Sequence, residues 1–379
     1  MKKIPVSIGN FKELINDGYV YVDKTHIMYQ LLQKNRRYFL SRPRRFGKSL
    51  LCSMLGELFA GNKELFVDTW IGRESGYTFK KHPVLSFSFA QLTKSSGQDV
   101  KDSLLAALIR LGNEYKIDNM NETRPGDALI TLVQELSKQA PVAIIVDEYD
   151  APVLDNIKNV QKAEEIRDIL ADFFNAMKAL DDAGHVHAIF ITGVTQFTKT
   201  SIFSAMNKLQ ILSLHEDAAQ LLGYTTEEIK HFFAEHIAFA ATNLGISKEQ
   251  FLANLQTHYN GYRFSAKNIK VYNPFSVNNC MNGNFDPEVF SFKNYWAESG
   301  TPTFLIELLK KDPQAIRAIE RVKIGEDVLQ SFNVSKINFV TTLFQTGYLT
   351  IVDYDLDVYE YTLDFPNHEV KSFVGIISV

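Results

Sequence analysis

Gly47, Lys48 and Ser49 stand in the order that a phosphate-binding loop requires, inside the stretch "FLSRPRRFGKSLL" from Phe39 to Leu51. Such a loop turns backbone amides inward, sets a lysine on the outer phosphates and offers a hydroxyl to magnesium. Counting back along G-x-x-x-x-G-K-[ST], the first glycine position holds Arg42, and Pro43 follows. Proline lacks an N–H and fixes its own φ, so the loop enters by a different backbone path and offers one amide fewer. Arg44 and Arg45 are candidates to compensate, because guanidinium groups fork onto phosphate oxygens. The nucleotide-binding candidates are Arg44, Arg45, Phe46, Gly47, Lys48, Ser49 and Leu50. Arg36, Arg37, Arg42, Arg44, Arg45 and Lys48 follow one another with no acid between them. A solvated basic turn before a helix has the same composition, and G-K-S also occurs by chance.

A second motif narrows the choice. "VAIIVDEYD" sets Asp147 and Glu148 at the end of a continuous apolar run. Ligands of open parallel sheets bind at the C-terminal edge of the strands, and paired acids after a buried strand are costly unless they face a site. Asp147 is a candidate to hold, through water, the magnesium that Ser49 also touches. Glu148 is the candidate to polarise an attacking water. The other reading is that both acids cap the next helix or face solvent. "IFITGVTQF" adds Thr192 and Gln196, which are placed to contact a γ-phosphate or orient water; Thr192 fits equally as a strand-end residue bonding its own turn. His185 and His187 alternate on one strand face, and without further ligands they read as strand residues.

These groups need a scaffold. "RRYFLS" is a strand candidate, and "KSLLCSMLGELFA" follows with a helical apolar period. "HPVLSFSFAQL", "PVAIIVDEYD" and "HVHAIFITG" are further strands, with "LQILSLHE" as a fifth. The helices "VKDSLLAALIRL", "DALITLVQEL" and "AEEIRDILADFFNAMKAL" lie between them. Strands alternating with helices predict an α/β fold with a mostly parallel sheet. Past Ala218 the rhythm turns helical: "YTTEEIKHFFAEHIAFA", opened by a Thr225/Glu228 capping box, then "EQFLANLQTHY" and "TPTFLIELLKK". "NGYRFSAKNIKVYNPFSV" reads as loop or short hairpin. "GYLTIVDYD" and "DVYEYTLDF" predict a hairpin near the end.

Bulk properties exclude several classes. The 379 residues are 45% apolar and 22% charged, ordinary for a soluble globular chain with room for two or three domains. A net charge of -4 does not make the whole molecule attractive to nucleic acid, so any such contact would need a local patch. Two cysteines, Cys52 and Cys280, make neither a disulfide scaffold nor a zinc site, and Cys52 reads as a buried thiol. The basic start "MKKIPVSIGN" has no apolar h-region, and no apolar run approaches a membrane span. A cytoplasmic location is expected.

Together "YVDKT", "RPRRFGKS", "VDEYDAP", "ITGVTQF", "GYRF", "YNPFSV" and "FPNHEV" resemble the AAA-ATPase-like bacterial proteins of the P-loop superfamily, along nearly the whole chain. The arginine-and-proline loop is itself that family's pattern. The resemblance implies a P-loop core of the additional-strand type with a catalytic glutamate beside the magnesium aspartate: Glu148 and Asp147 here. It gives Lys48 and Ser49 the loop roles, and Thr192 or Gln196 the sensor role. It implies ATP and Mg2+, and ATP over GTP is an inference from the resemblance; no guanine-reading N-K-x-D is present. The expected division is a core over 1–217, a helical lid over 218–330 and a winged-helix-like hairpin region over 331–379. A PD-(D/E)XK nuclease-like domain commonly follows in this family. Here the chain stops at Val379, and Glu369-Val370-Lys371, an isolated E-x-K, reads as chance, so nuclease activity is not expected.

Two functions remain open at this level. One is a Mg-dependent ATPase acting as a conformational switch, including a form that turns over very slowly. The other is a nucleic-acid-binding module that uses the basic loop and the winged-helix-like region. Protein partners and homo-oligomers are compatible with either, and Arg167 or Arg263 are candidates to act across a subunit boundary.

Overall fold

The computed structural model describes residues 1–117, 120–197, 206–296, 320–330 and 338–377. Its central sheet contains β1 (Arg37–Ser41), β2 (Val84–Ser88), β3 (Val142–Asp147), β4 (Val186–Gly193) and β5 (Gln210–Ile211), in the order β2-β3-β4-β1-β5 with every pairing parallel. The parallel α/β expectation holds, and the fifth strand is present, two residues long. β4 lies between β3 and β1, so the ends of the "IIVD" and "FITG" strands are neighbours.

β3 is buried along its whole length, as a strand covered on both faces must be. Its residues alternate between two cores: Ala143 and Ile145 join one cluster, Ile144 and Val146 the other. On the first face lie α1 (Phe11–Asn16), α2 (Thr25–Lys34), α3 (Lys48–Phe59) and the short α4 (Trp70–Arg73). On the second lie α5 (Gly97–Glu114), α6 (Pro125–Ser137) and α8 (Val160–Asp182), with the single-turn α7 (Ala151–Leu154) next to the end of β3. The apolar stripe of α8, with Ile166, Leu170, Phe173, Phe174 and Met177, is buried as its period requires.

Beyond the sheet come α9 (Thr226–Phe232), α10 (Ala234–Leu244), α11 (Lys248–Tyr259) and α12 (Pro274–Met281). A three-stranded antiparallel sheet follows: β6 (Val322–Gly325), β7 (Thr350–Asp355) and β8 (Glu360–Asp364), in the order β6-β8-β7. The predicted hairpin is β7 and β8, and the Thr225/Glu228 capping box is formed in full.

Three expectations are refined. The single helix expected over 224–240 breaks at Phe233 (φ -111°, ψ 17°), while Ile229, Phe233, Ile237 and Ala240 keep the spacing of one stripe and enter one apolar cluster. The stretch 260–277 does form a bridge, Tyr262 with Val271, but its end begins α12. Asn273 accepts from the amides of Phe275 and Ser276, with Pro274 at the first helical position, a strong start signal. Pairing of β6 with β8 also joins 322–325 to 360–363 across a division at residue 330. The stretch "TPTFLIELLKK" lies outside the described residues.

Candidate nucleotide site

The loop after β1 is shaped by two left-handed residues. Arg45 has φ 67° and Gly47 has φ 92°, and Gly47 caps α3. Left-handed residues in such a loop curl neighbouring amides toward one concave side. The twelve-residue α3 adds its positive end there. Lys48 is buried, and its ammonium donates to the carbonyls of Arg42 and Pro43, both at 2.9 Å. That contact closes the loop on itself. Burial pushes the Lys48 pKa down, while Asp147, Glu148 and Asp150 push it back up.

This concave side opens on a cavity of about 600 Å3, lined by Arg44, Arg45, Phe46, Gly47, Lys48, Ser49 and Leu50. Glu148 and Asp150 line it from the end of β3, and Val194 from the end of β4. The structure therefore gathers the seven loop candidates and Glu148 around one space at the C-terminal edge of the parallel strands. Burial raises the Glu148 pKa, Asp147 raises it further, and Lys48 opposes both. Arg45 also stacks its guanidinium 4.9 Å from the ring centre of Phe275.

The other candidates stand behind this wall. Asp147 accepts a 2.5 Å hydrogen bond from the hydroxyl of Thr192, which in turn sits 3.7 Å from the Cys52 sulfur. Thr192 is fully buried, and its hydroxyl supports Asp147 on the neighbouring strand rather than bonding its own turn. Gln196 faces away. Its backbone N–H donates to Gln345 Oε1 at 3.2 Å, and the residue lines a separate small cavity with Arg42 and Phe344.

The basic stretch does not form one surface. Arg42 is 1% exposed. Its guanidinium donates to the carbonyls of Ser41 (2.9 Å), Ser213 (2.7 Å) and Ala218 (3.1 Å) and lies 4.2 Å from the Phe264 ring centre. Burial lowers its pKa to about 9, so it stays charged at neutral pH. Arg37 pairs with Asp181, and Arg36 contacts His187, which stacks on His82. Arg263, a candidate for action across a subunit boundary, is buried and donates to the carbonyls of Ser265, Ala266 and Val352. That commitment removes it from the role. Arg167 pairs with its neighbour Asp168. Glu369 is buried in the helix His368–Ile377, where it accepts from Ser276 and Trp296, so the E-x-K acid has a packing role.

Several wall residues carried no role in the sequence reading. Pro5, Ile8, Val20 and Val22 line the cavity from the N-terminal segment, and Tyr224 and Phe275 from the helical region. Lys24 makes a buried pair with Glu228, its ammonium 2.5 Å from Oε2, joining the start of α2 to α9. Lys24 and Asp150 stood inside the conspicuous motifs "YVDKT" and "VDEYD"; the apolar wall left no local signal. Residues that come late in the chain cover the back of the loop. Trp296 Nε1 donates to the Arg44 carbonyl at 3.2 Å, Phe46 packs edge-on to Tyr262 and Phe264, and Pro43 meets Gly347.

Among the described residues no helix is long and apolar enough to cross a membrane. The chain is 35% identical over 380 residues, 98% of its length and 69% of the relative's, to an uncharacterized protein in the vnfD 5' region of Azotobacter chroococcum mcd 1. The AAA-ATPase-like family, described as "Predicted AAA-ATPase", matches residues 5–203. Loop, sheet edge and family profile agree, and the chain belongs to the AAA-ATPase-like family.

Proposed function

We propose that the chain binds ATP with Mg2+ in this cavity and hydrolyses it, using the cycle to move the region after residue 218. The observation that carries this is the convergence of the Lys48 loop and the Glu148 carboxylate on one cavity at the sheet edge. The position of β4 between β3 and β1 supports the additional-strand type of core. Ser49 lines the cavity, and Asp147, behind its wall, would reach an ion only through water; these hard oxygens suit Mg2+, which keeps water and phosphate oxygens for its remaining positions. Bound there, the ion would neutralise charge developing on the phosphates. The raised pKa makes Glu148 a stronger base than an ordinary carboxylate, and that suits removal of a proton from water. Thr192 acts by holding Asp147, and Gln196 has no direct part.

The switch role draws support from the walls. Leu222, Gly223, Tyr224, Pro274 and Phe275 line the same space as the loop, so occupancy bears directly on the helical region. We read the described residues after 218 as the part that responds, with β6 to β8 as its winged-helix-like part. A nucleic-acid role draws little support. Arg42 is internal, and the β7–β8 hairpin exposes Asp353, Asp355 and Asp357. Calorimetry with a non-hydrolysable ATP analogue and Mg2+ tests the proposal. Lys48→Ala should abolish binding, and Glu148→Gln should bind without turnover. Wild-type affinity in Lys48→Ala would overturn the loop assignment.

A further inference from the structure

We propose that Tyr149 and Asp150 are positioning residues that hold Glu148 in a strained backbone conformation aimed into the cavity. This rests on the reading of Glu148 as the base. Glu148 follows directly on the last residue of β3 and has φ 52°. That is the left-handed region, where glycine is at ease and a glutamate is not. Strain of this kind persists only where the surroundings over-determine it.

The surroundings do so here. Tyr149 N donates to Thr192 O at 3.0 Å. The fully buried Tyr149 hydroxyl donates to Thr195 O at 3.1 Å and accepts from Phe197 N at 3.0 Å. Asp150, 1% exposed, takes three donors on Oδ2: Val194 N at 3.0 Å, Thr195 N at 2.6 Å and Thr195 Oγ1 at 2.7 Å. Six hydrogen bonds thus lace the turn after β3 to the end of β4. The two turns approach so closely that a Cβ on Gly193 would stand 2.5 Å from the Tyr149 ring and 2.8 Å from Asp150 Oδ1. On the far side, Ala151 N donates to Glu148 O at 3.0 Å. With both neighbours pinned, Glu148 cannot rotate to an ordinary φ, a rotation of about 100° that would swing its carboxylate out of the cavity. A relaxed turn needing no carboxylate at this spot would carry glycine.

Strain can be read without turnover by thermal unfolding of the nucleotide-free protein. Glu148→Gly and Glu148→Ala both lack the carboxylate. At an ordinary φ alanine is the more stable. Here Glu148→Gly should unfold about 1–3 °C above Glu148→Ala. In an Asp150→Ala background the released turn relaxes, and the gap should fall by about half or more. If Asp150→Ala does not fold, Thr195→Val deletes one of the three donors and gives the same comparison at smaller amplitude. In the full protein Tyr149→Phe should lower kcat about tenfold or more, because misplacing a reacting group is costly. Its Kd for the ATP analogue should stay within about twofold, a split that general destabilisation would not produce. Equal unfolding of the Gly and Ala variants, an unchanged gap beside Asp150→Ala, or wild-type turnover in Tyr149→Phe would overturn the proposal. A Gly advantage in a protein whose Glu148→Gln form stays fully active would place the failure in the catalytic reading of Glu148 instead.

Discussion

Arg42 stands where a phosphate-binding loop usually has its first glycine, and its surroundings decide what it is for. Replacement by methionine keeps an apolar stem over Phe264 and removes the guanidinium. Three charge-assisted hydrogen bonds are lost, those to Ser41 O, Ser213 O and Ala218 O. At about 1.5–3 kcal/mol each these total roughly 5–9 kcal/mol. Against this stands relief from burying a cation with no carboxylate beside it, roughly 3–5 kcal/mol. The mid-values, roughly 7 against 4, leave a net loss of about 3 kcal/mol. For a chain of this length that lowers the unfolding temperature by about 3–5 °C. Scanning calorimetry and titration with an ATP analogue, the latter at 20 °C and well below unfolding, give the two readouts. Arg42→Met should unfold earlier and keep its nucleotide Kd within about threefold. If it instead unfolds with the wild type and loses affinity tenfold or more, the guanidinium serves phosphate, and the scaffold argument fails.

Other expectations follow from single contacts. Glu148 has its folded pKa raised by burial and by Asp147, so its ionisation destabilises the fold. The associated stability is full below the unfolded pKa and is lost as pH rises through the folded value. Glu148→Gln should therefore unfold above wild type at neutral pH, with the difference vanishing as pH falls below 4.5. For the same reason the acid limb of the kcat profile should lie above the ordinary glutamate range. Gly347 has φ 92°, and a Cβ there would stand 2.8 Å from Pro43; Gly347→Ala should cost about 1–3 kcal/mol by denaturant titration and weaken nucleotide binding although the residue lies outside the cavity. Lys24→Met leaves the half-buried Glu228 carboxylate without its counter-ion, at a cost of about 1–3 kcal/mol, and adding Glu228→Gln, which spares the capping box, should restore most of it.

What the sequence made legible was local or periodic. β3 announced itself as an apolar run, α8 by its stripe, and Glu148 by standing at the end of that run. Lys48 and Ser49 were legible because their spacing is a mechanism. The roles of Thr192 and Gln196 were not, since one register step decides whether a strand-end group faces the cavity or the neighbouring strand. The hydroxyl of Thr192 went to Asp147, and the backbone N–H of Gln196 is taken by the side chain of Gln345, 149 positions away. Arg42 looked like a surface cation because the carbonyls that receive it belong to residues some 170 positions on. The break at Phe233 escaped because both half-helices carry the same apolar period.

The wall behind the phosphate loop bears on how the molecule is made. Trp296 and Gly347 lie more than 250 residues after the loop they touch. During synthesis the Arg42–Gly47 segment leaves the ribosome long before its backing exists, and contacts of such sequence separation form late. The nascent loop would thus stay bare at Phe46 and the Arg42 niche until residues 296 to 347 have been made, and its full backing would arrive only with them.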